Sequence, residues 1–441
     1  MADLKRLTDD HSREPVPVDE AVSGWRVAMV IVGFAITLPL MITGSQVGLA
    51  MGLRDALAAF AVGGLVLTVI GSATAVVATS ARLSTYKILE FAFGRWGAKI
   101  VSGVLALTLF GWYGVTAELF GRALSGAAAD IYGIGFPVVL ATIIGSALMV
   151  AVTVFGFKAL DKLSLLAVPL LVLFLAVVVA RSLGSGDAVL TVGNGELSLG
   201  VAISVVVGTY IVGAVLVPDL CRYARSRVDG VFAIVLSLGV GLPCILAAAA
   251  VPSLATQEAD LVRIMLGLGL GVPALCVIVF ATWTSNANNL YSMSLGLATI
   301  FEGIDKWRLT VAAGVAGTLI AMAGVTDVFI PFLLTLGIAI PPIAGIYLAD
   351  YFVVKGFRAY SEAADPAERA VSPAAFAAWI VATAVGAVTA RDLFSVTHIP
   401  ACDSFLTAVA VYWVAHRLFR PGTETNHGER VTRKSLLRGR D

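Results

Sequence analysis

The stretch that decides the fold is Phe280-Ala281-Thr282-Trp283-Thr284-Ser285-Asn286-Ala287-Asn288-Asn289-Leu290-Tyr291. It lies within an apolar run from about Val272 to Ile300, yet seven of its last ten side chains carry a hydroxyl or an amide. Polar side chains at membrane depth have no water to bind, so they face a protein interior, a partner or a cavity. Because the stretch contains no acid or base, it predicts a site for a small polar ligand, an ion or both, rather than a hydrolytic centre.

The composition of the whole chain is that of a polytopic membrane protein. Of 441 residues, 59% are hydrophobic and 13% are charged, with a mean hydropathy of +0.93; soluble domains have about 25% charged residues. Apolar runs of about 20 residues, enough to cross a roughly 30 Å hydrocarbon core, recur along the chain. We therefore predict an all-α protein with polar tails over residues 1–24 and 419–441 and twelve transmembrane helices: 25–50, 55–80, 98–124, 136–157, 162–181, 198–222, 230–253, 266–299, 308–325, 328–353, 372–390 and 402–418.

The distribution of lysine and arginine predicts the orientation. If the N-terminus is cytoplasmic and the spans alternate, 25 of the 30 Lys and Arg residues fall on the cytoplasmic side and 5 outside. Short cytoplasmic loops of membrane proteins carry such an excess. The pattern predicts that both tails are cytoplasmic.

Two spans contain helix-breaking residues at matching positions. Span one has Gly33 and Pro39, and span six has the run Gly208–Gly213 followed by Pro218. Proline removes a backbone donor and clashes with the preceding turn, so we expect span one to kink or unwind; in span six we expect unwound backbone at Val212-Gly213. Glycine and proline are common in membrane helices, but spans one and six begin two five-span halves, 25–181 and 198–353. Matching broken helices point to an inverted-repeat transporter with its site at the membrane midplane.

Two aromatic residues are candidates for binding a flat ligand. Trp112 lies half way along span three, far from the interfaces where tryptophan is usually found. It either packs in the core or stacks on a planar ligand. With Tyr210 of span six it would sandwich a flat heterocycle, whose edge the amides of Asn286, Asn288 and Asn289 would bind.

Glu118 is the acid that we place well inside a span. It lies six residues beyond Trp112, about 9 Å further toward the outside. An acid inside the membrane is a functional candidate, so Glu118 would carry a proton or bind a substrate amine. The alternative is that it reaches the outer interface or pairs with a polar neighbour.

Several protein classes are excluded by missing motifs. The chain has no P-loop, no HExxH, no GxSxG and no paired carboxylates in its spans, and its four histidines lie outside the deep membrane. Its four cysteines have no metal-binding spacing. We predict that it is not an enzyme and has no organic cofactor. Its predicted partners are a small planar heterocycle and the lipid bilayer, not nucleic acid. A channel is an alternative to a transporter, and currents far above carrier rates would favour it.

Four motifs resemble the nucleobase–cation symporters of the first family, most closely the bacterial cytosine permeases. The resemblance covers most of residues 14–355 and implies a LeuT-like fold in a bacterial inner membrane: a five-plus-five inverted repeat over 25–353 and two extra helices within 372–418. The motifs are Gly111-Trp112-Tyr113-Gly114, Gly208-Thr209-Tyr210-Ile211 with Pro218-Asp219-Leu220-Cys221-Arg222-Tyr223, Trp283-Thr284-Ser285-Asn286-Ala287-Asn288, and Ile340-Pro341-Pro342-Ile343-Ala344-Gly345 leading to Ala349-Asp350-Tyr351.

The resemblance also implies residue roles. Substrate would lie between Trp112 and Tyr210, against Val212 and Gly213, with Asn286 and Asn288 as amide contacts. Sodium, the implied coupling ion, would be bound by two kinds of oxygen: the carbonyls of Gly33, Ile36 and Ala281, and the hydroxyls of Thr284 and Ser285.

The sequence departs from the cytosine permeases at two polar positions. Leu109 stands where they have glutamine, and Val212 where they have serine. Losing such partners changes which substrate is tolerated. We therefore predict sodium-coupled import of cytosine or a related pyrimidine or purine by alternating access. The alternative is a proton-coupled transporter, with Glu118 as carrier, of a thiamine-precursor pyrimidine, a purine, or a hydantoin- or allantoin-like compound.

Overall fold

The computed structural model describes residues 10–184, 193–195, 197–324, 335–356, 360, 370–391 and 393–418, and these form helices joined by short loops. The predicted C-terminal tail, residues 1–9 of the N-terminal tail and the start of span ten lie outside the described residues. The helices in chain order are α1 (Gly24–Ala35), α2 (Leu38–Met51), α3 (Leu53–Ala81), α4 (Thr85–Phe93), α5 (Arg95–Tyr132), α6 (Val138–Thr153), α7 (Phe157–Leu183), α8 (Leu199–Val215), α9 (Val217–Cys221), α10 (Arg227–Thr256), α11 (Leu261–Gly267), α12 (Gly271–Ile300), α13 (Lys306–Met322), α14 (Thr335–Lys355), α15 (Pro373–Thr389) and α16 (Pro400–Leu418).

Many of these helices suit a membrane. Among the described residues, five helices (α3, α5, α7, α10 and α14) are long and apolar enough to cross it, and the bent pair of α1 and α2 would make a sixth. Helices α6, α8 and α15 are apolar but shorter, and α12 carries the polar stretch. The architecture is that of a multi-pass helical membrane protein, while the count of twelve spans stays a prediction.

The predicted break in span one is confirmed. Helix α1 ends at Ala35 and α2 begins at Leu38, and their axes differ by 69°. Thr37 is extended (φ −126°, ψ 151°), and its hydroxyl accepts a hydrogen bond from Leu40 N at 3.0 Å. Pro39 lies in the first turn of α2, where a helix needs no N–H from it. Proline and the threonine cap together begin a new helix part way along the span.

The predicted break in span six is in a different place. Helix α8 continues through Val212 and Gly213 to Val215, and the helix is interrupted at Leu216 (φ −91°, ψ 6°). Leu216 N donates to Val212 O at 3.0 Å, so the expectation of unwound backbone at Val212-Gly213 is wrong. A glycine costs a helix about 1 kcal/mol and a proline about 3 kcal/mol, so Pro218 and not the glycines decides where the helix stops.

Small residues let the principal helices pack closely. Helix α2 packs on α10, α3 on α8, and α5 on α12. A Cβ atom on Gly44 of α2 would lie 2.5 Å from Leu246 O in α10, and one on Gly63 of α3 would lie 2.5 Å from Val206 Cγ1 in α8. Without a hydrophobic drive between helices in lipid, such close approach supplies the packing energy.

We expect Gly44→Ala to destabilise the protein by about 1–3 kcal/mol, because overpacked sites cost that much and the clash is with backbone. Thermal unfolding of the purified protein measures the effect. Gly208→Ala is the matched control, since a Cβ there meets nothing within 4 Å. Equal unfolding midpoints for the two variants would contradict the packing argument.

Candidate functional site

The break in span one lies against the polar stretch of α12. The Thr284 hydroxyl donates to Gly33 O at 2.9 Å and also lies 2.8 Å from Phe280 O and 3.1 Å from Ala281 O. Thr284, Ala281 and the neighbouring Ser285 are fully buried. We call the contact of Thr284 with Gly33 the ion junction.

The other predicted ion ligands lie on the same two segments. Ile36 is the buried residue at which α1 stops. The Ser285 hydroxyl donates to Thr282 O at 3.3 Å, on the preceding turn of α12. Carbonyl and hydroxyl oxygens are the donors that hard cations prefer. With no carboxylate among these five residues, the donor set suits a monovalent rather than a divalent ion.

Beside the junction, a small cavity brings together four of the seven predicted substrate residues. Its volume is about 40 Å³, far below the roughly 300 Å³ at which small-molecule pockets begin, so its walls are closed together. It is lined by Phe34, Thr37, Leu40, Trp112, Thr116, Thr209, Tyr210, Val212, Gly213 and Asn289. We call it the aromatic cavity.

The broken helix shapes one wall of the aromatic cavity. The ring of Phe34 packs on Tyr210, with centroids 5.6 Å apart and planes tilted by 58°. The Tyr210 hydroxyl donates to Ile31 O at 3.4 Å. Phe34, Thr37 and Thr116 were not among the predicted site residues. Phe34 and Thr37 could have been found from their proximity to Pro39, because they flank the break. Thr116 could have been found from its i,i+4 spacing to Trp112, which places it one helical turn further on the same face.

The three asparagines of α12 point in different directions. Asn286 donates to Tyr113 O at 3.1 Å and to Met149 Sδ at 3.3 Å, behind the cavity wall. Asn288 donates to Thr284 O at 2.9 Å, on the side of the ion junction. Asn289, one of the three amides expected to bind the heterocycle edge, lines the aromatic cavity and donates to Asn286 Oδ1 at 3.2 Å.

Glu118 lies away from the aromatic cavity's lining. It is buried and accepts from Arg122 at 2.5 Å. Arg122 lines a larger cavity of about 370 Å³ together with Leu38, Asp260 and Arg263. This cavity opens at the end of the bundle predicted to be extracellular, which we call the outer end.

The opposite, inner end is covered by the N-terminal segment. From Asp10 onward, the predicted tail packs on the bundle, where the buried Asp10 carboxylate lies 3.4 Å from Lys306 Nζ and 2.9 Å from the Tyr223 hydroxyl. Arg222 donates to the Asp10 carbonyl at 3.1 Å and to the Tyr291 hydroxyl at 2.8 Å. These five residues, the inner cluster, join four separate parts of the chain.

Arg13 fixes the same segment to α12. Its guanidinium donates to Ala298 O, Phe301 O and Ile304 O at 3.0–3.2 Å. A cation on the free carbonyls at a helix C-terminus is favoured by the helix dipole. This packing could not be predicted from the sequence, because a polar segment has the same composition whether it is solvated or buried against charged partners.

The long apolar helices define a multi-pass membrane protein, and comparison with known proteins identifies it as a transporter. Residues 15–414 match the family described as permeases for cytosine/purines, uracil, thiamine and allantoin. The chain belongs to that family. A cytosine permease of Escherichia coli O157:H7 is 29% identical over 352 residues, covering 78% of this chain and 81% of the relative. The relatives are permeases rather than enzymes, as predicted.

Solved structures share the fold. Mhp1, a nucleobase-cation-symport-1 family transporter in a closed conformation with bromovinylhydantoin bound, superposes with a TM-score of 0.78 at 21% identity, covering 92% of this chain and 94% of that one. A Na⁺-coupled sialic acid symporter in a substrate-bound outward-open state superposes with a TM-score of 0.68 at 14% identity, covering 96% and 97%. The helical architecture is therefore that of these transporters.

The inner cluster makes a prediction about stability and pH. Burial alone would raise the pKa of the Asp10 carboxyl, but the charges of Lys306 and Arg222 and the tyrosine hydroxyls outweigh it and hold the pKa below its usual value. A carboxyl with a lowered folded-state pKa contributes stability that is present above its unfolded pKa and lost as the pH falls through the folded one.

We therefore expect Asp10→Asn to lower the thermal unfolding midpoint at pH 7, since breaking a buried ion pair costs about 3–5 kcal/mol. The gap from the wild type should close as the pH falls below 3.8, the ordinary value for Asp. Asp19→Asn, which removes an acid from the same segment outside this cluster, is the control. A gap that is independent of pH would rule out this electrostatic account.

Proposed function

We propose that the protein imports a nucleobase or a related planar heterocycle by sodium-coupled alternating access. One observation supports the proposal: residues at a single helix break contribute both to the Thr284–Gly33 contact and to the lining of the aromatic cavity. Gly33 accepts the hydrogen bond of the ion junction, and Phe34 and Thr37 line the aromatic cavity. An ion that fixes the conformation of this segment would therefore also fix the wall of the substrate cavity. Coupled binding of ion and substrate requires such a shared element.

The relatives support this substrate class. The matching family is described by cytosine, purines, uracil, thiamine and allantoin, and the Mhp1 structure holds a hydantoin. All of these contain a compact heterocycle or a close analogue with polar edges. Leu109 and Val212 stand where the cytosine permeases have polar residues, so the substrate need not be cytosine itself. The candidate substrates are cytosine, other pyrimidines, purines, a thiamine-precursor pyrimidine and hydantoin- or allantoin-like compounds.

In this proposal the aromatic cavity widens to hold the substrate. Trp112 and Tyr210 cover its two faces, and Val212 and Gly213 form a wall without polar side chains. Asn289 binds the polar edge, and Asn286 holds Asn289 in place through its Oδ1 atom. The predicted roles of Asn286 and Asn288 thus become supporting ones, and Glu118 is replaced as a substrate contact by Asn289.

Sodium would occupy the ion junction. The carbonyls of Gly33, Ile36 and Ala281 and the hydroxyls of Thr284 and Ser285 would bind it, with the Thr284 proton turned away from the ion. The sodium dependence of a fold neighbour, the sialic acid symporter, supports this choice. The coupling ion is cargo here, moved inward with the substrate.

The arrangement of helices supports an inverted repeat over 25–353. Short helix α4 follows span two at the inner end, and α11 follows span seven beside the outer cavity. These are equivalent positions in the two halves at opposite ends of the bundle. Packing of span one on span seven likewise corresponds to that of span two on span six. We propose ten such spans plus two more within 372–418, in a bacterial inner membrane with both termini cytoplasmic.

The transport cycle follows from the unequal ends of the bundle. The outer cavity of about 370 Å³ admits substrate toward Leu38, at the start of α2. The inner cluster closes the cytoplasmic side. Import requires the reverse arrangement, in which the inner cluster separates and the outer cavity closes.

We expect Trp112→Ala to weaken heterocycle binding about 5- to 150-fold, because stacking a base on an aromatic side chain contributes roughly 1–3 kcal/mol. A thermal-shift screen of purified protein against nucleobases, hydantoins and related heterocycles, with and without sodium, identifies the ligand and measures its affinity. Trp112→Phe, which keeps a stacking face, should lose far less. Equal binding by wild type and Trp112→Ala would remove the stacking role.

We expect Thr284→Ala to raise the sodium concentration for half-maximal uptake about tenfold, since losing 1.4 kcal/mol of coordination has that effect. Uptake into proteoliposomes in sodium against choline buffer measures this. Thr284→Ser keeps the hydroxyl and should behave like the wild type, as should Thr68→Ala, which removes a hydroxyl in α3.

Glu118→Gln tests proton coupling. We expect the pH dependence of uptake by this variant to equal that of the wild type. Loss of the pH dependence would favour the proton-coupled alternative.

A further inference from the structure

Ser164 of α7 is a buried polar residue whose hydroxyl makes no hydrogen bond with the described residues. The Ser164 side chain is 1% exposed, and its Oγ has no hydrogen-bond partner among the described residues. A buried hydroxyl without a partner costs about 1–3 kcal/mol. Such groups in native proteins call for an explanation, of which an ion or water site is one.

The position of Ser164 provides that explanation. A methyl group on Gly33 would lie 3.1 Å from Ser164 Oγ, and Gly33 O is the carbonyl that Thr284 contacts. Helices α1, α7 and α12 all pack on one another here. The unpaired hydroxyl of Ser164 thus lies against the α-carbon side of Gly33, on a third helix that none of the predicted ligands occupies.

A second unpaired oxygen lies one turn away on α12. Asn288 is 2% exposed, and its Oδ1 has no partner among the described residues. Its Nδ2 donates to Thr284 O at 2.9 Å, which fixes the side chain one turn from Thr284 toward the inner end. An amide oxygen and a hydroxyl, both unused and both buried, therefore adjoin the junction.

An ion pair lies next along α7. Asp161 is three residues before Ser164, so the two share a helix face. Its buried carboxylate accepts from Arg26 of α1, with Nε 3.1 Å from Oδ1. The Arg26 side chain is 43% exposed, so the pair marks where this row of oxygens reaches the inner surface.

We propose that Ser164 and Asn288 are further sodium ligands on the cytoplasmic side of the ion junction, and that the Arg26–Asp161 pair closes the ion's exit. The proposal rests on the sodium coupling proposed above. A sodium ion cannot leave through hydrocarbon without oxygen ligands to replace those it gives up. Neutral ligands suit such a step, because an exit site must bind weakly enough to release.

The ligand role is tested by sodium binding rather than by transport. Purified full-length protein is titrated with NaCl against choline chloride at constant ionic strength, without heterocycle, and the thermal unfolding midpoint is followed. Ser164→Ala should raise the half-maximal sodium concentration about 5- to 10-fold, as the loss of one contact of about 1–1.4 kcal/mol predicts. Its midpoint in choline should not fall, because the hydroxyl has no protein partner.

Ser253→Ala is the matched control. Ser253 of α10 is also buried with an unpaired Oγ, so its sodium titration should equal that of the wild type. A Ser164→Ala titration that equals the wild type would overturn this inference while leaving sodium binding intact. A wild type that responds equally to sodium and choline would overturn both the sodium coupling and the inference.

The exit role has its own variant. Arg26→Gln/Asp161→Asn removes the ion pair without leaving one charge buried alone. It should speed sodium efflux from preloaded proteoliposomes at least severalfold, with the half-maximal sodium concentration unchanged. An efflux rate equal to that of the wild type would show that this pair does not close the path.

Discussion

The hydrogen bond from the Thr284 hydroxyl to the Gly33 carbonyl is the contact on which the rest of this structure depends. A helix that stops in mid-membrane releases backbone carbonyls, and hydrocarbon provides nothing to bind them. Here α12 provides the partner. The polar stretch of α12 and the break in span one are therefore one feature: neither would be stable in a membrane without the other.

Close packing around this contact explains why one break contributes both to the Thr284–Gly33 contact and to the aromatic cavity. Gly33 faces α12 with its carbonyl and α7 with its α-carbon, so three helices meet within a few ångströms. The next residue, Phe34, turns to the opposite side and packs on Tyr210. Successive residues of a helix point about 100° apart, and this places the Gly33 carbonyl contact and the aromatic cavity on different sides of one segment.

The inner cluster provides the opposing constraint. Asp10, Arg222 and Lys306 are all buried, and each is stable only while the others neutralise it. Losing one partner would leave the remaining charges buried and uncompensated. The cluster therefore favours two distinct arrangements, one fully paired and one fully separated. The exposed polar tail suggested by composition is thus, from Asp10 onward, a structural part of the inner end.

The sequence by itself determined the membrane class and the break at Pro39, and it made Trp112, Tyr210 and Thr284 candidates, because hydropathy, proline chemistry and polar groups in apolar runs are local properties. Only the tertiary structure decided which way each side chain of α12 points, that Asn289 rather than Asn286 reaches the cavity, and that Asp10 lies among distant charges. It also moved the break of span six to Leu216. These outcomes depend on which helices pack together and at what rotation, and that is set by contacts between residues far apart in the chain.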